Sequence, residues 1–496
     1  MRRFLRTHMI AAFALAYASL IAASGVSTAD AGTEDANPPA VVANASAQAL
    51  PEWTVMVYMD GDNNLEPFAL SDFEEMARVN DSSQVNIVVQ LDRIPGHSTR
   101  HGDWKHTLRF KLRQGMTPTP ANALPPEESE LAAGQETNMG HPDTLASFVE
   151  WAKRKFPANH FMLVIWDHGD GWRFLHTVSP QRNSAEARAI RMADASAADA
   201  ARSGSRRSRT RSLASTISLD ETLDAPHRAI SMDDTDRDRL YMREVQNALE
   251  GVVVGKKLDV IGFDACLMAM VENGFAMRRV ADVMVGSEEL EPGNGWQYDD
   301  WLPLLVSNPN MGGVELGRKL VDSYKKTYTT LPNLDPETTL SAIDLSQDKM
   351  IDLARAISDL GDELTVSLDT ELYNIRGARD SCTPYAPGRG YHGIDLHRFC
   401  AELIIRTSKP LLRARAQAVL HMLNDPSVML NAYAGSEREG TFGSKGIAIY
   451  FPETKSAYQS DSYGSAYRDG NLAYPVEFVE QLRWDNFLHA YFERVP

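Results

Sequence analysis

Two reactive side chains close two apolar runs in this chain. Phe161 to Trp166 is uninterruptedly apolar and leads into Asp167, His168 and Gly169, while Leu258 to Phe263 leads into Asp264, Ala265 and Cys266. A cysteine nucleophile attacks as the thiolate, so it needs a lowered pKa or a base nearby. Histidine, which titrates near neutrality, is the usual partner. From Leu267 onward the pattern reads as helix. Cys266 is therefore expected between a strand end and a helix start, where the positive end of the helix dipole favours a thiolate. Gly169 lets a substrate backbone approach closely, and the N–H groups of Gly169 and Cys266 are candidates for holding an oxyanion. A lone buried cysteine is usually packing. Two separate runs each delivering a reactive group make a stronger signal than either alone.

The other cysteines are Cys382 and Cys400, and an odd total of three argues against a disulfide framework and for one thiol with a task of its own. Whether Cys382 and Cys400 pair is left open. Weaker signals are set aside. Asp60, Asp62, Asn63 and Asn64 offer oxygen ligands, but without the spacing or terminal Glu of an EF-hand loop. His97 and His101 have helical metal spacing, yet they lie between glycines and lack the Glu of a zinc-peptidase motif. Ser346 and Lys349 are spaced like a Ser–Lys pair, but their polar setting reads as a solvated helix start. No nucleophile-elbow serine motif or phosphate-binding glycine loop is present.

The elements that must position the pair follow from periodicity. Trp53–Met59, Val85–Gln90, Phe161–Trp166, Leu258–Phe263 and Val283–Gly286 read as buried strands. Helical spacing covers Pro67–Val79, a stretch carrying Leu145, Phe148, Val149 and Ala152 capped by Asp143 or Thr144, and residues 240–250. Strands alternating with helices imply an α/β fold with a mostly parallel sheet covered on both faces. Such sheets carry their chemistry in loops at the carboxyl ends of the strands, where His168 and Cys266 both fall. Residues 178–238 break the rhythm: they are rich in Ala, Ser and Arg, with Arg202, Arg206, Arg207, Arg209 and Arg211 at the centre, and they read as a mobile surface insertion. Beyond about residue 330 the pattern is helical, with strand candidates at 338–344 and 445–451.

Composition bounds the class. The chain has 496 residues, is 43% hydrophobic and carries a net charge of −17, which suits one large core or two ordinary ones and disfavours nucleic acid as a partner. Arg2, Arg3 and Arg6 precede an apolar run from Met9 to Ala23 and a small-residue site at Ala29-Asp30-Ala31, the pattern of a secretory signal peptide. The run is shorter than a membrane-spanning helix needs, and no later stretch is long enough, so no membrane span is expected after its removal.

Taken together, these segments resemble the clostripain family of cysteine peptidases, in the caspase–legumain–gingipain clan. The resemblance is carried by Trp53–Asp60, by Asn138-Met139-Gly140 with Asp143-Thr144-Leu145, by Trp166–Trp172, by Phe263–Met268, and by Glu288–Trp296. It covers roughly residues 52–305 and implies a caspase–hemoglobinase type fold with a catalytic His168–Cys266 dyad. The family prefers cleavage after Arg or Lys, and Asp264 matches the acidic residue taken to bind that cation. A carboxylate can pair with guanidinium in a bidentate way. Glu288, Glu291 and Asp300 are weaker pocket candidates. Family members are commonly activated by cleavage between the His and Cys segments, so the Arg-rich insertion becomes a candidate for self-cleavage. The implied chemistry needs no cofactor. Some relatives are calcium-dependent, so calcium is carried as an open cofactor without assigned ligands. The expected organisation is a signal peptide (1–31), a flexible linker (32–50), a peptidase domain (51–330) and a C-terminal region (331–496) packed on the peptidase core. The expected partners are protein or peptide substrates containing Arg or Lys, and the expected location is periplasmic or extracellular. A catalytically silent binding protein of the same family and a peptidase of different specificity are the alternatives.

Overall fold

The apolar runs become strands in the computed structural model, which describes residues 49–171, 230–330, 337–387, 390–435, 443–461, 467 and 477–495. In chain order these are β1 (Trp53–Gly61), β2 (Val85–Arg93), β3 (Leu108–Lys111), β4 (His160–Trp166), β5 (Ser231–Asp233), β6 (Asp238–Leu240), β7 (Leu258–Asp264), β8 (Ala281–Gly286), β9 (Thr339–Asp344), β10 (Gly393–Asp395), β11 (Met429–Ala434) and β12 (Ala448–Tyr450). Eight of them make one sheet in the order β11-β9-β8-β7-β4-β1-β2-β3. The central pairings β2–β1, β1–β4, β4–β7 and β7–β8 are parallel, and β3, β9 and β11 add antiparallel edges.

The strands are apolar along their length because helices cover both faces. Successive residues of a strand point to opposite sides. Val55, Val57 and Met59 of β1 enter a core shared with helices Glu66–Met76, Tyr298–Ser307 and Gly313–Thr330. Met56 and Tyr58 enter the opposite core, with helices Pro142–Lys155, Met242–Val252 and Gln347–Asp380. The α/β class with a mostly parallel sheet is thus as expected.

Several local expectations need correction. The helix carrying Leu145 starts at Pro142, with His141 rather than Asp143 or Thr144 as its cap. Proline is preset for the first helical position, and the His141 side chain accepts from the Asp143 amide. Helix does not resume at Leu267. It begins only at Val271, so Cys266 lies in an extended turn short of any helix start. The insertion expected over 178–238 ends sooner: β5 and β6 form an antiparallel hairpin, and Ser231, Met232 and Asp233 are buried. Its apolar Ile230, Met232 and Leu240 give it a core to join. Residues 178–229, with the five arginines, lie outside the described residues, as do the expected signal peptide and the linker up to residue 48.

Position 330 is not a boundary in the sheet. β9 and β11 extend the sheet beyond β8, covering what would otherwise be an unpaired parallel edge. The described residues from Leu50 onward form one compact unit. Cys382 and Cys400 are both buried and unbonded, so they make no disulfide. Ser346 stands at the N-cap position of the helix Gln347–Asp380, without a capping side-chain bond, and Lys349 pairs with Asp344, as a solvated helix start should. No helix among the described residues is long and apolar enough to cross a membrane.

Candidate active site

The register between β4 and β7 does the positioning. Trp166 is paired with Asp264, the last residue of its strand with the last of its neighbour. His168 and Cys266 each lie two residues further on, so parallel chains carry them off the same end of the sheet side by side. Both line one cleft, together with Leu65, Trp166, Asp167, Asp264, Ala265, Glu291, Pro292, Gly293 and Gly295. Cys266 is 7% exposed, and His168 is half-buried.

Gly169 serves a different purpose from the one expected. A Cβ there would lie 2.1 Å from the Cys266 carbonyl oxygen and 2.6 Å from its nitrogen. The glycine lets the cysteine loop cross the histidine loop, rather than letting a substrate approach. Beyond the thiol, Leu267 sits at φ 66°, a left-handed conformation that a branched residue adopts only when its surroundings impose it. Its amide donates to the Glu289 carbonyl at 3.1 Å, one of the restraints that hold it. The support for a thiolate comes from a backbone group: the Glu291 amide donates to Cys266 Sγ at 3.2 Å. It does not come from a helix N-terminus.

His168 is held from the other side. Its Nε2 lies 2.8 Å from Asn64 Oδ1, in the loop that leaves β1. Asn63 donates to Asp167 Oδ1 at 2.9 Å and to the Met232 carbonyl at 3.0 Å, and the Met232 amide donates to the other Asp167 oxygen. The hairpin after the insertion is thereby bonded to the histidine loop.

The floor of the cleft is acidic. Asp264 is 5% exposed and accepts from the Tyr298 hydroxyl at 2.8 Å and the Trp296 amide at 3.4 Å. Burial pushes its carboxyl up to about 6 against the hydroxyl bond that favours ionisation. Glu291 is buried beside it, its carboxyl paired with that of Asp264, and burial plus the Asp264 charge hold it well above the usual range. Asp72 lies behind them, accepts from Trp166 Nε1 at 2.7 Å, and is raised by burial and by Asp264. The donors these three carboxylates have among the described residues are neutral. Gly295, at φ 49°, completes the wall, because a Cβ there would meet Asp264 Oδ1 at 2.7 Å.

The remaining candidates separate. Glu288 lines a neighbouring cavity with Asp170, Tyr385 and Tyr391, and accepts from the Gly446 amide. Asp300 is outside the cleft, on a helix, engaged by Lys326 and Ser323. His97 is exposed, and His101 pairs with Glu74 in a turn. Sequence reasoning underrated Glu291 and missed Asn64, whose only signal was its place in the acidic loop after β1. That loop also joins a cluster of Asp62, Asp92, Glu136 and Asp233, an arrangement able to hold a metal ion.

Comparisons with known proteins bear on the family and the fold. The clostripain from Hathewaya histolytica is 28% identical over 266 residues, covering 50% of this chain but only 40% of that relative. The chain therefore spans well under half the length of that relative. Among solved structures, a secreted C11 cysteine protease from Bacteroides thetaiotaomicron, in complex with an irreversible peptide inhibitor, superposes with a TM-score of 0.55 at 19% identity, covering 87% of this chain and 98% of that one. An inactive zymogen of a C11 protease from Parabacteroides distasonis gives 0.52 at 15% identity, covering 89% and 99%. At these identities the two structures speak for the fold. The profile of the clostripain family (Peptidase_C11) matches residues 57–185 and 218–491, most of the chain, and on that ground the chain belongs to the clostripain family.

Proposed function

We propose that this protein is an exported cysteine endopeptidase that hydrolyses peptide bonds after Arg or Lys through His168 and Cys266. The observation that carries the reading is one cleft lined by a thiol, an imidazole and the buried carboxylates Asp264 and Glu291. Cys266 Sγ attacks the scissile carbonyl carbon, and the carbonyl oxygen takes the charge. Backbone N–H groups at Gly169 and Cys266 are assigned to that oxyanion. His168 gives a proton to the leaving amine, the C–N bond breaks, and a thioester remains. Water, deprotonated by His168, then attacks the thioester and frees the thiol. The Glu291 amide, donating to Sγ, favours the thiolate at the start of the cycle.

Selectivity for a cationic side chain follows from electrostatics. Burial raises the proton affinity of both carboxylates and the Asp264 charge raises that of Glu291 further, and a guanidinium or ammonium entering between them relieves that cost. The bond changes use side chains, backbone and water, and draw on no cofactor.

Export is supported by the N-terminal pattern and by the secreted relative. Self-cleavage within 178–229 is supported by the arginines between the His and Cys segments and by a relative captured as an inactive zymogen. The test is a panel of short peptides with Arg, Lys, Asp, Asn or Ala before the scissile bond, offered to wild type and Cys266→Ala, with mass analysis of both purified proteins. Cleavage of the Arg and Lys peptides by wild type alone is expected, with the insertion cut only in wild type. Equal activity in both proteins would remove Cys266 as nucleophile. Inactivity in both, with no labelling of Cys266 by iodoacetamide, would favour a silent binding protein.

A further inference from the structure

We infer, on the reading of this cleft as the site for Arg or Lys, that Asp264 and Glu291 hold one proton between them and that a cationic substrate side chain takes its place and expels it to water. Asp264 ends β7, two residues before Cys266. Glu291 lies in the loop after β8, where its amide donates to Cys266 Sγ at 3.2 Å. Both residues are buried, at 5% and 4% exposure, and their carboxyl groups are hydrogen-bonded to each other. A carboxylate only accepts hydrogen bonds, so two carboxyl groups share one only if a proton lies between them. The same proton spares the buried site two like charges side by side.

The neighbours decide where the proton sits. Asp264 accepts from the Tyr298 hydroxyl at 2.8 Å and the Trp296 amide at 3.4 Å, and these bonds support its ionised form against burial. Burial and then the Asp264 charge raise the Glu291 carboxyl well above the usual range, opposed only by Trp296. Near neutrality Glu291 therefore carries the proton and donates it to ionised Asp264. The other groups facing the pair supply no countercharge. Asp72 and Glu75, from helix Glu66–Met76, are acidic and themselves raised by burial. Tyr298, Tyr324 and Tyr328, from the two helices that follow, are raised by burial and stay neutral phenols. Cys266 and His168 share the cleft with the pair, and none of the residues described as lining it is Lys or Arg.

Charge balance then fixes what a substrate must do. With the proton in place the pair carries a single negative charge. When a guanidinium enters, it replaces the proton as the cation between two carboxylates, the proton leaves to water, and the buried charge is unchanged. Two ionised carboxylates can each accept from the guanidinium fork, whereas a protonated Glu291 would turn an O–H donor toward another donor. A neutral side chain offers no such exchange and leaves the proton where it is. The cleft therefore tells a cationic residue from a neutral one by proton exchange as well as by attraction, and its affinity for the cationic one rises with pH.

The experiment uses the wild-type protein and a blocked peptide ending in agmatine, which presents the guanidinium of arginine without a scissile carbonyl. Its control is the same peptide ending in the urea analogue, alike in shape but uncharged. Binding near pH 7 is measured by calorimetry in phosphate and in Tris, whose different heats of ionisation report the protons exchanged. Release of close to one proton per guanidinium peptide is expected, and none for the urea peptide. The dissociation constant of the guanidinium peptide should fall by up to about tenfold per pH unit between about 6.5 and 8. Glu291→Gln keeps the shape but has no carboxyl proton to give up, so release should drop to near zero in that variant. Binding of the guanidinium peptide with no proton exchanged, equal release with the urea peptide, or undiminished release in a folded Glu291→Gln would each overturn the inference while leaving the Arg or Lys reading intact. Should the variant fail to fold, the two peptides compared on wild type still decide. A wild-type chain that is folded by circular dichroism yet neither binds the guanidinium peptide nor cleaves Arg peptides would count against the Arg or Lys reading itself, and the inference would fall with it.

Discussion

Replacing Gly169 by Ala is the sharpest test of how the two catalytic loops are held together. The new methyl would stand 2.1 Å from the Cys266 carbonyl oxygen, 2.6 Å from its nitrogen and 2.9 Å from the Ala265 carbonyl carbon, all of them backbone. Comfortable non-bonded contacts lie near ~3.5 Å, so the loops must part by more than ~1 Å. Overpacking of this kind costs about 1–3 kcal/mol of stability. A displacement of about 1 Å between reacting groups is enough to cost ~10²-fold in rate, or ~2.7 kcal/mol of activation energy. Gly251→Ala is the matched control. It lies in the helix Met242–Val252, and a Cβ there meets nothing within 4 Å. Alanine should there be neutral or stabilising by up to about 1 kcal/mol. The assays are the urea midpoint, kcat/KM on an Arg peptide, and the rate of iodoacetamide labelling at Cys266. A Gly169→Ala enzyme matching wild type within about twofold in kcat/KM, with an unchanged urea midpoint, would show that the loops are not locked as described.

Three further outcomes follow from the same geometry. Because Asp264 titrates at about 6 in the fold, kcat/KM for Arg peptides should fall as pH drops through about 6, with a weaker acid limb for neutral peptides. Asp264→Asn should lower Arg cleavage by about 10²–10³-fold, as loss of one partner of a buried charge pair does. The sign for stability is opposite: the Asp264 carboxyl, raised from 3.8, binds a proton in the fold that the unfolded chain releases, so its contribution is lost as pH rises through about 6 and Asp264→Asn relieves the penalty at pH 7. Asn64→Leu removes the 2.8 Å contact to His168; kcat should fall about tenfold to a hundredfold with KM little changed, the mark of a positioning residue, and an altered KM at constant kcat would contradict it. Glu477 is 3% exposed and receives Arg278 at 2.8 Å and Arg279 at 2.7 Å; burial opposes its ionisation, but the bonds from these arginines prevail and hold its carboxyl at about 2. Glu477→Gln should therefore cost roughly 3 kcal/mol at pH 7, measured by urea titration, and the gap from wild type should close as pH falls from about 4.5 toward 2, since the contribution of a depressed carboxylate is present above its unfolded pKa and lost below.

Uninterrupted apolar runs such as Phe161–Trp166 are buried on both faces wherever they fold, so their strands, the α/β class and the strand-end placement of His168 and Cys266 followed from residue type and order. The pairing of Trp166 with Asp264 did not, because register is set by packing between segments nearly a hundred residues apart. The same holds for Gly169, whose necessity appears only when another loop crosses it, and for Asn64, which reaches His168 from a third strand. Glu291 is an ordinary acidic residue in sequence; burial without a cationic partner is what gives it its chemical meaning. The turn from Leu267 to Met270 was misread as helix because its apolar residues satisfy a helical period while facing the core from a loop. Local composition thus determined which groups were available, and the tertiary structure decided which of them meet, since proximity across the sheet depends on free energies that no short window of sequence contains.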